Sequence, residues 1–527
     1  MCSREADSST IEGYRCRTCV YANFHKECAE SPMEMKHPYH PPHPLSLRLL
    51  ALHEASEICS CCREELGRGF VYQCPICKFF IHLLCAKKPP VLEVDKPKSH
   101  DHKLVLLPKP RPFTCDACGL LLDSPSFPWA CLECGVMIHR GCIDLPRVIR
   151  ICRHHHRLRY NSSPSRAHES SWSCGVCRKV VDNNYGAYSC SRGCDYVVHS
   201  KCATREDVWD GKDLEGVPEE PEDAEPPFEV IDEKTIHHFS HGHHLKLNEE
   251  DDERFDRGKH CRACALPICI HLGNTYCCRE CDCDFIIHET CANLPRKMWY
   301  MLHAHRLELH TTKLENSSCD VCGRLSSGFI YKCSEEVCRF EIDVNCASVS
   351  EPFNHITHPH PLFSTSISKH YQTCSGCKEP GSYYRKTMQC IECEFVLCFR
   401  CITLPSKMKY KQDRHPLVLE SGGGEETGGE SWWCEICERR MDKEVMYYTC
   451  DGCCVTVHVD CVVGEDVHMM PGLYSDEWVK GEFEAAANVG CCRPFCHRCE
   501  MRCPFPIVFK KNDLHLCTLR CLRGFRS

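Results

Sequence analysis

The sequence contains no run of 18 apolar residues, so no segment is expected to cross a bilayer as a helix. The best candidate, Leu45 to Leu52, is short and carries Arg48. No charged-then-apolar leader opens the chain, which starts Met1-Cys2-Ser3-Arg4. An intracellular location, cytoplasm or nucleus, is therefore expected. A long basic stripe interleaved with aromatics is also missing. Nucleic-acid affinity rests heavily on phosphate neutralisation, and the formal net charge is -9. Nucleic acid is not an expected partner, despite the local cluster of Arg residues from Arg147 to Arg159. Nor is there a segment that would build one large core. Hydrophobic residues make up 43% of the chain but come in short bursts. Domains that bury so little need a metal or a covalent staple.

What the chain does have is cysteine and histidine, 53 and 34 of them in 527 residues. A disulfide framework needs an oxidising compartment. Paired cysteines with interleaved histidines, and no visible leader, favour metal instead. Length alone suggests three or four domains, but repeats overrule that. A histidine followed two residues later by leucine recurs at His43, His102, His156, His243, His305, His360 and His415. The steps between them are 59, 54, 87, 62, 55 and 55 residues. This is a tandem array with one extra linker.

The clearest copy, unit 2, reads CxxC, CxxC, HxxC: Cys115/Cys118, Cys131/Cys134, then His139 and Cys142. Such spacings let one turn supply two zinc ligands. Unit 1 has Cys59/Cys62, Cys74/Cys77, His82 and Cys85. Unit 3 has Cys174/Cys177, Cys190/Cys194, His199 and Cys202. Unit 4 has Cys261/Cys264, a crowded second pair read as Cys278/Cys283, then His288 and Cys291. Unit 5 has Cys319/Cys322, Cys333/Cys338 and Cys346, with Asp343 at the histidine position. Unit 6 has Cys374/Cys377, Cys390/Cys393 and Cys401, with Cys398 at that position. Unit 7 has Cys434/Cys437, Cys450/Cys453, His458 and Cys461. Both replacements are zinc-competent. A partial unit at the N-terminus holds Cys16, Cys19, His25 and Cys28, and is either degenerate or truncated. The tail pairs Cys496/Cys499 with Cys517/Cys521, a further knuckle with Cys503 between.

The expected boundaries are 1–36 for the partial unit, then 37–92, 100–146 and 154–203 for units 1 to 3. An acidic linker, 204–234, carries thirteen Asp or Glu against three basic residues and reads as a solvated hinge. Units 4 to 7 follow at 241–295, 303–349, 358–405 and 413–464, and the tail knuckle at 490–527. Aromatics two residues before the second pair (Tyr72, Trp129, Tyr188, Tyr276, Tyr331, Tyr448) and β-formers such as Val197-Val198 suggest short strands. The aromatics are expected to pack on the knuckle. The HxxC opens a short helical turn, ended by Leu-Pro at 145–146, 294–295 and 404–405. The fold class is small zinc-stabilised modules in tandem, each with short strands and one short helix, and little large core.

Paired ligands can bind metal sequentially or in a cross-brace. The unit resembles the divergent C1 domain of a large plant family of cysteine/histidine-rich proteins, over nearly the whole chain. It is similar, more distantly, to the diacylglycerol-binding C1 domain of protein kinase C. The resemblance implies interleaved sites and about two zinc ions per full unit. In unit 2 one zinc would take Cys115, Cys118, His139 and Cys142; the other would take His102, Cys131, Cys134 and a downstream ligand. The closing cysteine of the C1 pattern is missing here. An HxH precedes most of the repeat leucines instead: His100/His102, His154/His156, His241/His243, His303/His305 and His358/His360, with Asp413/His415 in unit 7. The first member is expected to close the preceding unit and the second to open its own.

The leading function is a non-enzymatic interaction scaffold in intracellular signalling, with protein partners. Lipid is the alternative partner, because the C1 resemblance implies a diacylglycerol groove. The Gln-Gly that shapes that groove is absent, and unit 2, with Leu120 to Leu122 and Phe127-Pro128-Trp129, is the best exception. Catalysis needs an open metal position, and these sites look filled. A thiol-disulfide reductase is the remaining alternative. The unassigned thiols (Cys2, Cys61, Cys152, Cys269, Cys277, Cys281, Cys454) form no clear CxxC of their own.

Overall fold

The computed structural model describes the chain apart from residues 1–12, 16–22, 51–56, 63–64, 68, 78, 88–91, 108, 110, 122–126, 163–171, 220–224, 249–258, 269–272, 281–282, 312–316, 365–371, 381–385, 411–412, 414, 423–431, 477–478, 489–492 and 525–527. Cys16 and Cys19 of the partial unit lie outside the described residues, as does Leu122. His25 ends the strand Asn23–His25, and Cys28 sits in the helix Lys26–Ala29.

The repeat leucine sets the register of every full unit. Leu45, Leu104, Leu158, Leu245, Leu307, Leu362 and Leu417 are all fully buried. In unit 3, Leu158 lies opposite Cys190, the first residue of the second pair. Leu245 opposes Cys278, Leu307 opposes Cys333 and Leu362 opposes Cys390. Side chains alternate across a strand, so the histidine two residues before the leucine points the same way, at the cysteine loop. Unit 3 is a four-stranded antiparallel sheet, Val148–Ile149, Leu158–Asn161, Ala187–Cys190 and Val197–His199, followed by the helix Ser200–Ala203. Units 1, 2, 5 and 7 repeat the four-stranded plan. Unit 4 carries five strands and unit 6 three. The α-helices have four or five residues, too few to be stable alone.

The sheets reach further upstream than histidine-based boundaries suggest. The first strand of unit 5, Lys297–Tyr300, follows directly on the Leu294-Pro295 that ends unit 4, and it forms a hairpin with His303–His310. Unit 7 starts likewise with Lys407–Lys409. The tail sheet begins at Gly472–Asp476, before the expected residue 490. One leucine-proline step thus ends one unit and feeds the next, leaving no spacer.

The acidic segment is not a solvated hinge where it is described. Val208 is fully buried, Trp209 bridges to Ile151, and Asp213 takes Lys98 at 2.5 Å. Arg157 donates to the carbonyls of Val217 and Pro218, and Lys212 reaches Glu335 at 2.9 Å. Local net charge misleads here because basic groups of neighbouring units neutralise the strap.

The core is distributed. Units 1, 2, 3 and the tail each bury their own small cluster, and the buried residues of units 4 to 7 run on from one another. Units 3, 5, 6 and 7 dock on their predecessor's first cysteine loop. Gly186 N–H donates to Asp116 at 2.7 Å, Phe329 to Ala263 at 2.8 Å and Met446 to Gly376 at 2.7 Å. Each acceptor lies between the two cysteines of a first CxxC. Unit 3 also meets the second half of the array: Glu351 joins Arg153 at 3.0 Å and Arg178 at 2.8 Å, and the Cys152 thiol donates to the Met301 carbonyl.

Candidate metal centres

In units 2 to 7 and the tail, the first CxxC is followed by a residue in the left-handed region: Gly119, Arg178, Ala265, Gly323, Lys378, Glu438 and Glu500. Its N–H donates to the carbonyl of the first cysteine, at 2.8 Å for Gly119 and 2.9 Å for Arg178. The tight turn brings both thiols to one side. Chain reversal through the last strand then brings the HxxC alongside.

The structure gathers Cys59, Cys62, His82 and Cys85 into one group, and Cys115, Cys118, His139 and Cys142 into another, donor atoms within 4.8 Å of one another. The same constellation recurs in units 3, 4 and 7. Nδ1 lies 3.4 Å from Cys177 for His199, 3.3 Å from Cys264 for His288 and 3.3 Å from Cys437 for His458. The closing cysteines Cys202, Cys291 and Cys461 stand 3.9 Å from the same Nδ1 atoms. Nε2 of His82 and His199 faces the carbonyls of Glu65 and Val180, which fixes the tautomer with Nδ1 free for a metal. Backbone N–H groups donate to the first sulfur of each set, as from His82 to Cys59 and from His458 to Cys434. The Cys202 thiol beside Cys174 holds that group down to about 3, with the His199 ring assisting against burial, and Cys461 does the same for Cys434.

In unit 6, Cys398 lies 3.9 Å from Cys377 and 3.7 Å from Cys401, which is 3.7 Å from Cys374. In unit 5, Asp343 places Oδ2 3.4 Å from the Cys322 sulfur, while Oδ1 accepts the Cys346 N–H and caps the helix Val344–Ala347. Cys319 and Cys346 are fully buried in the same unit. In the tail, Cys499 is 3.7 Å from Cys517, itself 3.4 Å from Cys521, with Cys496 alongside.

The second group overturns one expectation. The first histidine of each HxH does not close the preceding unit. His100 and His102 both join Cys131 and Cys134, and His154 and His156 both join Cys190 and Cys194. In unit 4, His241 Nε2 is 3.4 Å from Cys283 and His243 Nδ1 3.6 Å from Cys278. His303 and His305 divide between Cys338 and Cys333, both at 3.6 Å, and His358 faces Cys393 at 3.4 Å, next to His360. Unit 7 uses Asp413 and His415 against Cys453, at 3.0 and 3.1 Å. The position left to a downstream ligand is thus filled from upstream, within the same unit. In unit 5 the HxH lies in the strand His303–His310, where residues two apart face the same way. In units 2, 3, 4 and 6 it lies just before the strand that opens at the repeat leucine.

Unit 1 spaces the pair differently. His40 joins His43, Cys74 and Cys77. Sequence reading missed His40 because His-x-x-His breaks the HxH spacing. An aromatic three residues before the HxxC position was a signal that could have found it. That aromatic stacks on the first histidine: Phe79 on His40, Tyr196 on His154, Phe285 on His241, Phe340 on His303 and Phe395 on His358, at 4.1 to 4.6 Å. Valine stands at that position in unit 7, as Val455 where Asp413 replaces the first histidine, and in unit 2, as Val136.

These groups fit metal sites on two grounds besides distance. Buried ring nitrogens His40 Nε2, His154 Nε2 and His360 Nδ1 have no hydrogen-bond partner among the described residues. Burial, then the neighbouring His156, holds His154 down to about 4, and burial with His305 does so for His303. Both rings are neutral at pH 7 and keep a lone pair for coordination.

The lipid-facing candidates divide. Trp129 is buried and Phe127 packs between units 1 and 2, whereas Leu120 and Leu121 are exposed, at 49% and 58%. No helix among the described residues is long and apolar enough to cross a membrane.

Compared with known families, residues 38–86, 98–143, 152–203, 239–292, 301–347 and 411–462 match the model described as C1 domain. Residues 483–522 match that described as C1 domain-like, C-terminal. Each matched stretch begins before both upstream donors of its unit. Unit 6, with Cys398 in place of histidine, is not among the matches, yet folds on the same plan. No curated protein and no solved structure matches the chain.

Proposed function

The chain belongs to the C1-domain family, and from that premise we propose that it is a zinc-stabilised scaffold that binds protein partners in intracellular signalling, without catalysis of its own. The observation that carries this reading is the recurrence of two closed four-donor groups per unit, joined through the docked cysteine loops. Thiolate and imidazole donors in fours suit tetrahedral zinc, and a set of four protein donors leaves no position for substrate. Zinc binding then supplies folding free energy to units too small to stand on burial alone. A row of docked units offers one extended surface rather than a set of independent beads.

Metal analysis of the purified chain tests the first part, with about two zinc ions per full unit expected. The second part is tested by crosslinking to partners from zinc-loaded and chelated protein, where contacts present only with zinc support it. A chain that is folded and metal-free would sink the reading.

The exposed Leu120 and Leu121 favour one second reading, a module recruited to diacylglycerol-containing membrane. Flotation with liposomes that depends on diacylglycerol, and is lost in a Leu120→Ser, Leu121→Ser variant, would put that reading first. No flotation on either membrane leaves the protein scaffold.

A further inference from the structure

Unit 5 departs from its neighbours in having Asp343 where five other full units have the HxxC histidine and a donor ring. Asp343 is fully buried, and one of its two oxygens is committed to the Cys346 N–H. The remaining oxygen, Oδ2, faces Cys322 on one side. On its other side stands His468, from the segment that follows unit 7 and more than a hundred residues downstream.

His468 is fully buried, and neither of its ring nitrogens has a hydrogen-bond partner among the described residues. Its Nδ1 lies 3.8 Å from Asp343 Oδ2. That is too long for a hydrogen bond, which for nitrogen and oxygen falls at about 2.7–3.2 Å. Nitrogen and oxygen donors on one ion, with bonds of about 2.0–2.2 Å, stand roughly 3.3–3.6 Å apart in a tetrahedron and up to about 4 Å apart where a fifth donor opens the angle. Unit 7 offers an internal standard. Its Asp413 and His415, which share a group with Cys453, are also 3.8 Å apart. The segment is seated by more than the ring. The Ser327 N–H donates to the His468 carbonyl at 3.0 Å, and the Met470 N–H donates to Ser327 Oγ at 2.8 Å.

We propose that His468 is a metal ligand of unit 5. Its Nδ1 joins the thiolates of Cys319, Cys322 and Cys346, and Asp343 Oδ2 lies on the same centre. The imidazole missing from the HxxC of unit 5 is thus supplied from beyond unit 7. The metal fastens the segment around His468 to unit 5 and ties the last three units into a closed loop. This rests on the reading of the units as metal-bound, and it assigns a ligand that the repeat pattern does not contain.

The test uses the full chain loaded with Co2+, in wild type, His468→Ala, Asp343→Asn and the double variant Asp343→His with His468→Ala. The His468→Ala variant is expected to release one ion to chelator at least tenfold faster than wild type, with a changed cobalt absorption band. Backbone amides around Ser327 and Met470 should exchange faster in the same variant. The double variant restores a local histidine and should recover ion retention and the band, while the amides around Met470 stay fast. His468→Ala with the wild-type release profile and band overturns the proposal, as does a double variant that fails to recover ion retention. If His468→Ala does not fold, recovery by the double variant decides alone. A wild-type chain that holds no metal would overturn this proposal and the functional reading together, whereas indifference to His468 in a metal-loaded chain overturns only this one.

Discussion

The hydroxyl of Tyr188 donates to the carbonyl of Pro146 at 2.7 Å, joining the second pair of unit 3 to the last residue of unit 2. Tyr331 does the same to Pro295, and Tyr448 to Pro405, at 2.7 and 2.6 Å. Tyr72 reaches Pro32 at 2.7 Å. The aromatic and the proline are two separate marks in the sequence, and in the fold they are the two halves of one junction.

Replacing Tyr188 by Phe leaves the Pro146 carbonyl buried and unpaired. The expected cost is about 1–2 kcal/mol. Hydrogen exchange should show faster opening of Val148–Ile149 and Ala187–Cys190, with unit 1 unchanged. Equal exchange in the variant would mean that water takes over the bond.

Glu351 is almost wholly buried and holds Arg153, which is only 3% exposed. Breaking a buried pair by removing one partner costs about 3–5 kcal/mol. Glu351→Gln is therefore expected to loosen unit 3 from the second half of the array. Limited proteolysis between residues 204 and 234 should accelerate at least tenfold, and small-angle scattering should report a larger radius of gyration.

A Cβ on Gly328 would stand 2.2 Å from the Ala263 carbonyl oxygen, a backbone atom that cannot swing aside. Gly328→Ala should disrupt the docking of unit 5 on unit 4 and cost on the order of 2 kcal/mol. Gly141→Ala meets nothing within 4 Å and serves as the control, with no change expected in the melting profile.

Glu438 is exposed and holds φ at 57°, which costs an L-residue roughly 1–2 kcal/mol. Glycine relieves that strain but has more freedom to lose on folding. Glu438→Gly should stabilise unit 7 by about 0.5–1 kcal/mol, read as slower metal release and a higher melting transition.

His100→Ala tests which unit the first histidine serves. Cys131 and Cys134 should become reactive to alkylation, while Cys59, Cys62, Cys74 and Cys77 of unit 1 stay protected. Exposure of unit 1 instead would restore the bridging arrangement expected from the spacing.

The cysteine groups were legible because short spacing and a fixed turn leave little choice: CxxC followed by a left-handed residue brings two thiols together in units 2 to 7. Unit 4 shows how far this goes, since four residues before His288 singled out Cys283 from a crowded run, and the structure pairs it with His241. The HxH was visible, but its allegiance was not. Spacing cannot say whether a histidine turns forward or back, and the answer emerges only when the register of Leu158 on Cys190 sets the segment just before the strand beside the second pair. His40 was hidden by one extra residue, and His468 by distance along the chain. The acidic segment misled because its counter-charges, Lys98 and Arg192 among them, sit outside it.

The docking of units 3, 5, 6 and 7 on the first cysteine loop before them gives the array a direction. With both upstream histidines assigned to the unit they precede, each donor set except that of unit 5 closes within about fifty residues of chain. A chain leaving the ribosome can therefore ripen in order, each unit but unit 5 finished before its successor needs a floor to settle on, and unit 5 completed only when His468 arrives. An error in one loop is then inherited by later units and spares earlier ones, so the harm done by a substitution depends on how early in the chain it falls.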